Sequence, residues 1–371
     1  ASTDVAQTDA ENDAGGNGDA GAGASTLLLL GLASGGAFGS AFHGAAWDPV
    51  TRVATEDSYA SGGGLAAAPD GRAFAAFRAE ASPLLYDVIW DGSWPAPGAL
   101  GVGNDDCVSA PATTAQSVFV VAAESPSANS PGGVFLDTYD IPSPSWTDDV
   151  PVGLPGAYAR PAVAATAAGE PLVVIAQSAN MQGYQWTLRS GVTWSTPAAL
   201  PGISASADYQ FDFPVLAKRV GVDQIVGVFE TTVDDMSGAS LGASVFSGGA
   251  WGMPTTVATS ARTGEPPSLT ALADGRVALA YTSATSAKID VGFFDGTSWS
   301  AFAAVPGIAP SPFFAPAIAG GIAGDVLELV YIDANEALQH VRLTNEAAWT
   351  WSAPVLVDSA NAYAEVYLAS L

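Results

Sequence analysis

The sequence predicts an all-β, seven-bladed propeller with four-stranded blades, in which the last strand of the chain completes the blade begun by the first strands. Three observations predict it. Seven tryptophans recur at Trp47, Trp94, Trp146, Trp194, Trp251, Trp299 and Trp351, at intervals of 47, 52, 48, 57, 48 and 52 residues. That period lies in the propeller range and is too long for most helical solenoids. Gly (41) and Pro (25) are abundant and charged residues make up only 13% of the chain, a composition of many short strands and tight turns. The two chain ends, finally, carry complementary fragments of one blade.

The N-terminal piece Thr26–Ala54 supplies a second-strand run (Leu27–Ala33), a third-strand run (Ala37–His43) and a fourth strand at Trp47, and it lacks a first strand. Six full sets follow, from about residue 60 to residue 358. Each begins with small residues, often opened by proline, as in Pro161-Ala-Val-Ala-Ala, Pro267-Ser-Leu-Thr-Ala and Pro316-Ala-Ile-Ala-Gly. Small side chains suit the innermost strand A, where blades crowd a central channel. A turn and an apolar strand B come next: Arg72–Phe77 after Asp70-Gly71, Ser117–Ala122, Leu172–Ala176, Gln224–Phe229, Arg276–Tyr281 after Asp274-Gly275, and Asp325–Ile332 after Gly324. Asp-Gly between apolar runs is a strong hairpin signal. Strand C often ends on an aromatic residue, and strand D opens on the marker tryptophan. Trp94, Trp194, Trp251 and Trp351 are followed in W-x-x-P spacing by Pro97, Pro197, Pro254 and Pro354; proline has no amide N–H to give, so it belongs on an edge strand. The terminal stretch Ala364–Leu371 is one A-like strand with nothing after it. Joined to Thr26–Ala54 it makes the seventh blade, a three-plus-one closure that removes an open sheet edge.

Thirty-seven acids against eleven bases give a net charge of −26. Such a surface repels phosphate backbones and anionic lipid, which argues against nucleic-acid and membrane-surface partners, and it keeps the chain soluble. No apolar run reaches the roughly 18 residues of a membrane span. The single cysteine, Cys107, excludes an internal disulfide, and its run Cys107-Val108-Ser109-Ala110 reads as a strand burying a small hydrophobe. Residues 1–25 hold five acids, no bases and no aromatics, so they are expected to form a flexible leader or tether. In composition this leader resembles those that follow the signal peptides of bacterial surface proteins, which implies a secreted or cell-surface location. Its alternating donors, Asp9, Glu11, Asp13, Asn17 and Asp19, make calcium the one cofactor to consider. They lack the D-x-D-x-D-G core and the closing Glu of calcium loops.

Other patterns carry less. Gly16-Asn-Gly18-Asp-Ala-Gly21 fits G-x-G-x-x-G but has no strand before it or helix after it. Gly238-Ala-Ser240-Leu-Gly242 fits G-x-S-x-G without a strand–elbow–helix setting. His43 and His340 fall in expected C strands with no partner at metal-ligand spacing and read as surface or packed imidazoles.

Between strands C and D the chain places an aromatic residue, a short turn, then Trp: Trp90-Asp91-Gly92-Ser93-Trp94, Phe246-Ser-Gly-Gly-Ala-Trp251 and Phe294-Asp295-Gly296-Thr297-Ser298-Trp299. This resembles the S-x-D-x-G-x-x-W Asp-box of sialidase-like propellers and the same region of bacterial and fungal propeller lectins. Asp and Gly are adjacent here and most blades lack the Asp. The Asp-box resemblance implies a structural turn remote from catalysis. Sialidase activity would need an arginine cluster, a Tyr–Glu pair and an acid Asp; the nine arginines are scattered, and only Tyr158-Ala159-Arg160-Pro161 is faintly similar to that family's entry. The lectin resemblance implies sugars held between blades by Trp or Tyr with recurring Arg and Glu, yet no Arg or Glu recurs at a fixed repeat position. The marker tryptophans are therefore expected to pack between blades, and Trp90, Trp186 and Trp349 are the candidates for exposed stacking.

No catalytic residue or metal site can be named, and the ligand-binding residues stay unknown at this level. The leading expectation is a non-catalytic interaction module that binds glycan or protein on a loop face. The first alternative is a self-assembling subunit of an extracellular layer or filament that docks through the leader. The second is a glycosidase-like enzyme, which predicts acids with an arginine or two at the channel mouth.

Overall fold

The structure is a computed structural model that describes residues 26–33, 35–55, 62–78, 85–100, 105–124, 132–154, 160–177, 183–203, 214–234, 238–262 and 265–371. The leader, with its calcium-like donors and its G-x-G-x-x-G, lies outside these residues, as do Tyr158 and Ala159. The described chain forms seven separate antiparallel sheets of four or five strands and no helix. It is a seven-bladed propeller.

Blades 1 to 6 follow in sequence from Gly63 to Asp358, and blade 7 takes three strands from the N-terminal end and one from the C-terminal end. There Leu27–Ala33 pairs with Gly36–Phe42 on one side and with Tyr363–Ser370 on the other, in the registers Leu27↔Phe42 and Leu27↔Ser370. The three-plus-one closure thus stands as expected. Predicted strands hold to within a residue or two at most ends: Leu27–Ala33 matches at both ends, and Leu172–Ala176 lies within Pro171–Gln177. Two details differ. The third strand of blade 7 ends at Phe42, so His43 lies beyond it, exposed beside Asp48. Strand D is often broken in two: Thr193–Trp194, Ala250–Trp251 and Thr350–Trp351 pair with the end of strand C, and Ala198–Ala199, Thr255–Ala261 and Val355–Asp358 resume after the proline. The W-x-x-P proline sits at this break, where its missing N–H costs the ladder nothing.

Each blade buries both faces against its neighbours, and the marker tryptophans fill these seams. Trp94 of blade 1 packs into the core shared with blade 7, and Trp194, Trp251 and Trp351 pack back onto blades 2, 3 and 5 in the same way. The approach is tight: a methyl group placed on Gly39 of blade 7 would overlap the indole of Trp94. At the seam between blades 6 and 7, Trp47 joins a buried polar chain. Its Nε1–H donates to His340 Nδ1 at 3.3 Å, so the His340 proton lies on Nε2 and is donated to Glu328 Oε2 at 2.7 Å. Glu328 Oε1 accepts the Ile322 N–H at 3.1 Å. Glu328 and His340 are 0% and 1% exposed, and a carboxylate so deep is tolerable only with such partners.

The candidates for exposed stacking are corrected. Trp90, Trp186 and Trp349 are all half-buried and pack into seams. Trp186 lies edge-on to Phe246 at 5.4 Å, and Trp349 donates Nε1–H to Ala304 O at 3.1 Å. The face of a blade is turned to the next blade rather than to solvent, so a large side chain on strand C or its turn becomes further seam filling. Cys107 lies in an inner strand of blade 2, half-buried against the seam with blade 3.

Two predictions follow from the seams and the closure. Trp251 is 7% exposed, and Trp251→Ala is expected to cost about 3–5 kcal/mol of unfolding free energy in chemical denaturation, by loss of packing and cavity formation. Deleting residues 363–371 uncovers the edge of Leu27–Ala33, and size-exclusion chromatography is expected to show association of the truncated chain; a stable monomer would contradict the closing role of that strand.

Candidate functional site

The propeller has two unlike ends. A–B and C–D turns form one, here the turn face; B–C loops and D–A connections form the other, the loop face. Between them runs the channel, lined by the seven A strands. A collar of Leu65, Val163, Leu216, Leu269, Ile318 and Leu368 divides it into two vestibules. The loop-face vestibule, about 240 Å³, is rimmed by Pro161, Pro214, Pro267 and Pro316 at the start of their A strands, and Pro111 of blade 2 lies deeper, lining both vestibules. The prolines leave no strand-opening N–H unpaired at the rim. Among the described lining residues the one ionisable carboxyl is Glu365, which accepts the Tyr367 hydroxyl. The acid-and-arginine cluster expected of a glycosidase-like enzyme is not gathered there among the described residues.

On the turn face, scarce cations fasten blade to blade. Arg72 in the A–B turn of blade 1 donates to Tyr139 Oη of blade 2 at 3.4 Å. Arg219 of blade 4 reaches Asp295 O of blade 5 at 3.0 Å, and Arg276 of blade 5 reaches Glu346 of blade 6 at 2.7 Å. Arg342 of blade 6 bonds Asp325 at 3.1 Å and lies over the Phe42 ring of blade 7 at 5.8 Å. The Asp-Gly-Arg turns are local devices: Gly71 (φ 85°) and Gly275 (φ 84°) take the left-handed backbone that glycine allows, and Asp70 and Asp274 accept from the following arginine. Asp295 accepts the N–H groups of Thr297 (2.7 Å) and Ser298 (2.8 Å), which hold its carboxyl below its usual range. The Asp-box-like turn is therefore structural, as its resemblance implied. Ser240 lies within a long C strand of blade 4, Gly238–Ser247, and not on an elbow.

One cluster on the loop face has a different character. Arg262 follows the last strand of blade 4, Glu265 precedes the first strand of blade 5, and Phe313 lies in the connection from blade 5 to blade 6. Phe313 is 70% exposed, the most exposed aromatic side chain among the described residues. Arg262 lies over its ring, with Cζ 5.2 Å from the centroid, and its Nε is 3.1 Å from Glu265 Oε1. A guanidinium so placed is held by ring and carboxylate together, with 29% of its side chain still exposed. The Glu265 side chain is only 10% exposed, and its Oε2 has no hydrogen-bond partner among the described residues. Burial pushes the Glu265 carboxyl up to about 7, against the opposing pull of Arg262 and Thr282.

The sequence did not mark these residues, because nothing in Arg262-Thr263-Gly264-Glu265 recurs from blade to blade. The one legible hint was a lone Phe313-Phe314 pair in a connection without an expected strand. Thr26, His43 and Asp48 fall in the order of a nucleophile, base and carboxylate, with contacts of 3.4 and 3.3 Å. His43 and Asp48 are more than half exposed, and they line neither vestibule of the channel. No group of three or more His, Cys, Asp or Glu side chains is gathered as for a metal ion among the described residues, and none of their helices is long and apolar enough to cross a membrane, since there are none.

No protein-family model matches the chain, and no curated protein is similar to it in sequence. Solved structures are. AofleA from Arthrobotrys oligospora superposes with a TM-score of 0.55 at 14% identity, over 83% of this chain and 89% of its own. A fucose-specific lectin from Aleuria aurantia superposes with a TM-score of 0.51 at 12% identity, over 75% and 90%. A polysaccharide lyase, an ulvan lyase, reaches 0.48 at 14% identity, over 80% of each chain, and at that level adds nothing. At such identities the similarity establishes the propeller fold.

The buried carboxyl gives a pH prediction. Glu265 is raised in the folded state from an ordinary value of 4.5 to about 7, so folding favours its protonated form. Its contribution is fully present below 4.5 and is lost as pH rises through 7. Relative to Glu265→Gln, the wild-type protein is expected to lose roughly 3 kcal/mol or less of stability between pH 4.5 and 8. Parallel denaturation curves of the two proteins across that range would show that Glu265 is not so buried.

Proposed function

We propose that this propeller is a non-catalytic glycan-binding module acting outside the cell, and that Arg262, Glu265 and Phe313 on the loop face form its sugar site. The observation that carries the reading is the exposed Phe313 ring held beside a guanidinium and a carboxyl group with one oxygen that no described residue hydrogen-bonds. A pyranose has an apolar C–H face and a hydroxyl-bearing edge. Phe313 offers a flat surface for the first, Arg262 N–H groups donate to hydroxyl oxygens, and Glu265 accepts from hydroxyl hydrogens.

That a fucose-specific lectin superposes on this chain supports carbohydrate as the ligand class for a propeller of this kind. The net charge of −26 favours an uncharged glycan over an acidic one. The site would be single in its cation, unlike the repeated arginine-bearing sites implied by the lectin resemblance, because no other arginine stands where Arg262 does, five residues before the proline that opens an inner strand.

A glycan array followed by titration calorimetry tests this. One or more neutral glycans are expected to bind, and Arg262→Ala is expected to weaken binding about tenfold or more, as the loss of hydrogen bonds from a charged donor would. Phe313→Ala should weaken it several-fold without lowering the melting temperature, since the ring is largely in solvent. Undiminished binding by both variants would place the sugar elsewhere, and an array without any bound glycan would sink the reading.

A further inference from the structure

We propose that the turn-face vestibule of the central channel binds a small organic carboxylate, with Lys218 as the cation that receives it. The site lies on the opposite end of the propeller from Arg262 and does not depend on the sugar-site reading.

Size and wall come first. The vestibule encloses about 540 Å³, well above the roughly 150 Å³ of an apolar cavity able to hold one benzene. Ten alanines, at least one from each of the seven inner strands, make its wall, and the aliphatic collar makes its floor. Small side chains at this ring leave the space open where larger ones would fill it. The polar groups are the hydroxyls of Thr113, Thr270 and Ser370 and the cations Lys218 and Arg219. No acid is among the described lining residues, in a chain with 37 acids and 11 bases.

The partners of these cations separate them. Arg219 is engaged by Gly275 O at 2.8 Å, by Gln224 Oε1 at 2.5 Å and by Asp295 O. Lys218 makes one hydrogen bond among the described residues, to Thr166 O at 2.9 Å, and no ion pair. An ammonium carries three donors, so two remain for a ligand. The acids of the surrounding A–B turns are already used: Asp70 and Asp274 by the arginines that follow them, and Asp223 by the Ala167 N–H at 3.0 Å. The wider negative surface is screened over about 10 Å at ordinary ionic strength, so an anion entering the vestibule meets the local cations.

The same features select the class of anion. One uncommitted ammonium matches a single negative charge better than a phosphate dianion. Alanine and leucine walls favour a carboxylate with an aliphatic or single-ring body over an inorganic ion. Lys218 receives the carboxylate, Thr270 or Ser370 donates to its second oxygen, and the apolar body rests on the collar.

Titration at about 0.1 M ionic strength with benzoate, benzyl alcohol, benzylammonium and inorganic phosphate tests this, with the alanine methyl signals recorded by NMR. Benzoate is expected to saturate one site per chain and to move the methyls of the alanine ring. The other three compounds should bind at least about tenfold more weakly, the loss expected for a missing charge-assisted hydrogen bond. Lys218→Met should remove the preference for benzoate and Lys218→Arg should keep it; both side chains stay long, and circular dichroism checks that the fold is retained. Benzoate binding unchanged in Lys218→Met, equal binding of benzylammonium, shifts confined to alanines outside the ring, or no saturation by benzoate would each overturn the proposal.

Discussion

A blade of this propeller has no solvent face of its own. Both surfaces of its sheet are apolar and both are covered by neighbours, so the seven sheets are stable only as a closed ring. The pairing of Leu27–Ala33 with Tyr363–Ser370 is the contact that closes it, and it joins residues almost the whole chain apart. The seam next to it, between blades 6 and 7, also holds the chain Trp47–His340–Glu328. Directional bonds there fix how the two blades meet, as the Trp349 bond to Ala304 O does between blades 5 and 6.

The rest of the polar chemistry follows from scarcity. With eleven cations in 371 residues, most of those described can be assigned a structural partner, and several bridge adjacent blades on the turn face. Against this background Arg262 and Lys218 stand apart. Arg262 is held by a ring that is mostly in water and by a carboxyl whose proton affinity burial has raised, and Lys218 is held by one carbonyl. Each reaches across a blade boundary with part of its donor set, Lys218 to Thr166 O and Arg262 to Glu265. A residue type that is rare and elsewhere fully committed to assembly is informative where donors are left over.

How far the sequence reaches depends on whether a feature repeats. Trp47 to Trp351 recur because every seam needs a filler, and the small A strands recur because every blade meets the channel, so both were legible. The closure was legible because Thr26–Ala54 lacks what Ala364–Leu371 supplies. Trp90, Trp186 and Trp349 were misjudged, since nothing local says that a side chain on strand C faces a neighbouring blade. The pairing of Glu328 with His340 joins two strands across a register, and Arg262, Glu265 and Phe313 meet across two blade boundaries. Such encounters are set by the three-dimensional ring and leave no periodic trace.

The way the ring is closed also sets how it would bear force. Thr26 and Leu371 exchange two backbone hydrogen bonds, of 3.3 and 2.8 Å, and both lie at the turn-face end of the same strand pair. Tension applied between these two residues would peel Leu27–Ala33 from Tyr363–Ser370 one bond at a time, like a zip opened from its free end. Load carried through only one of them would leave that pair at rest, with the loop face and Phe313 turned away from the point of attachment.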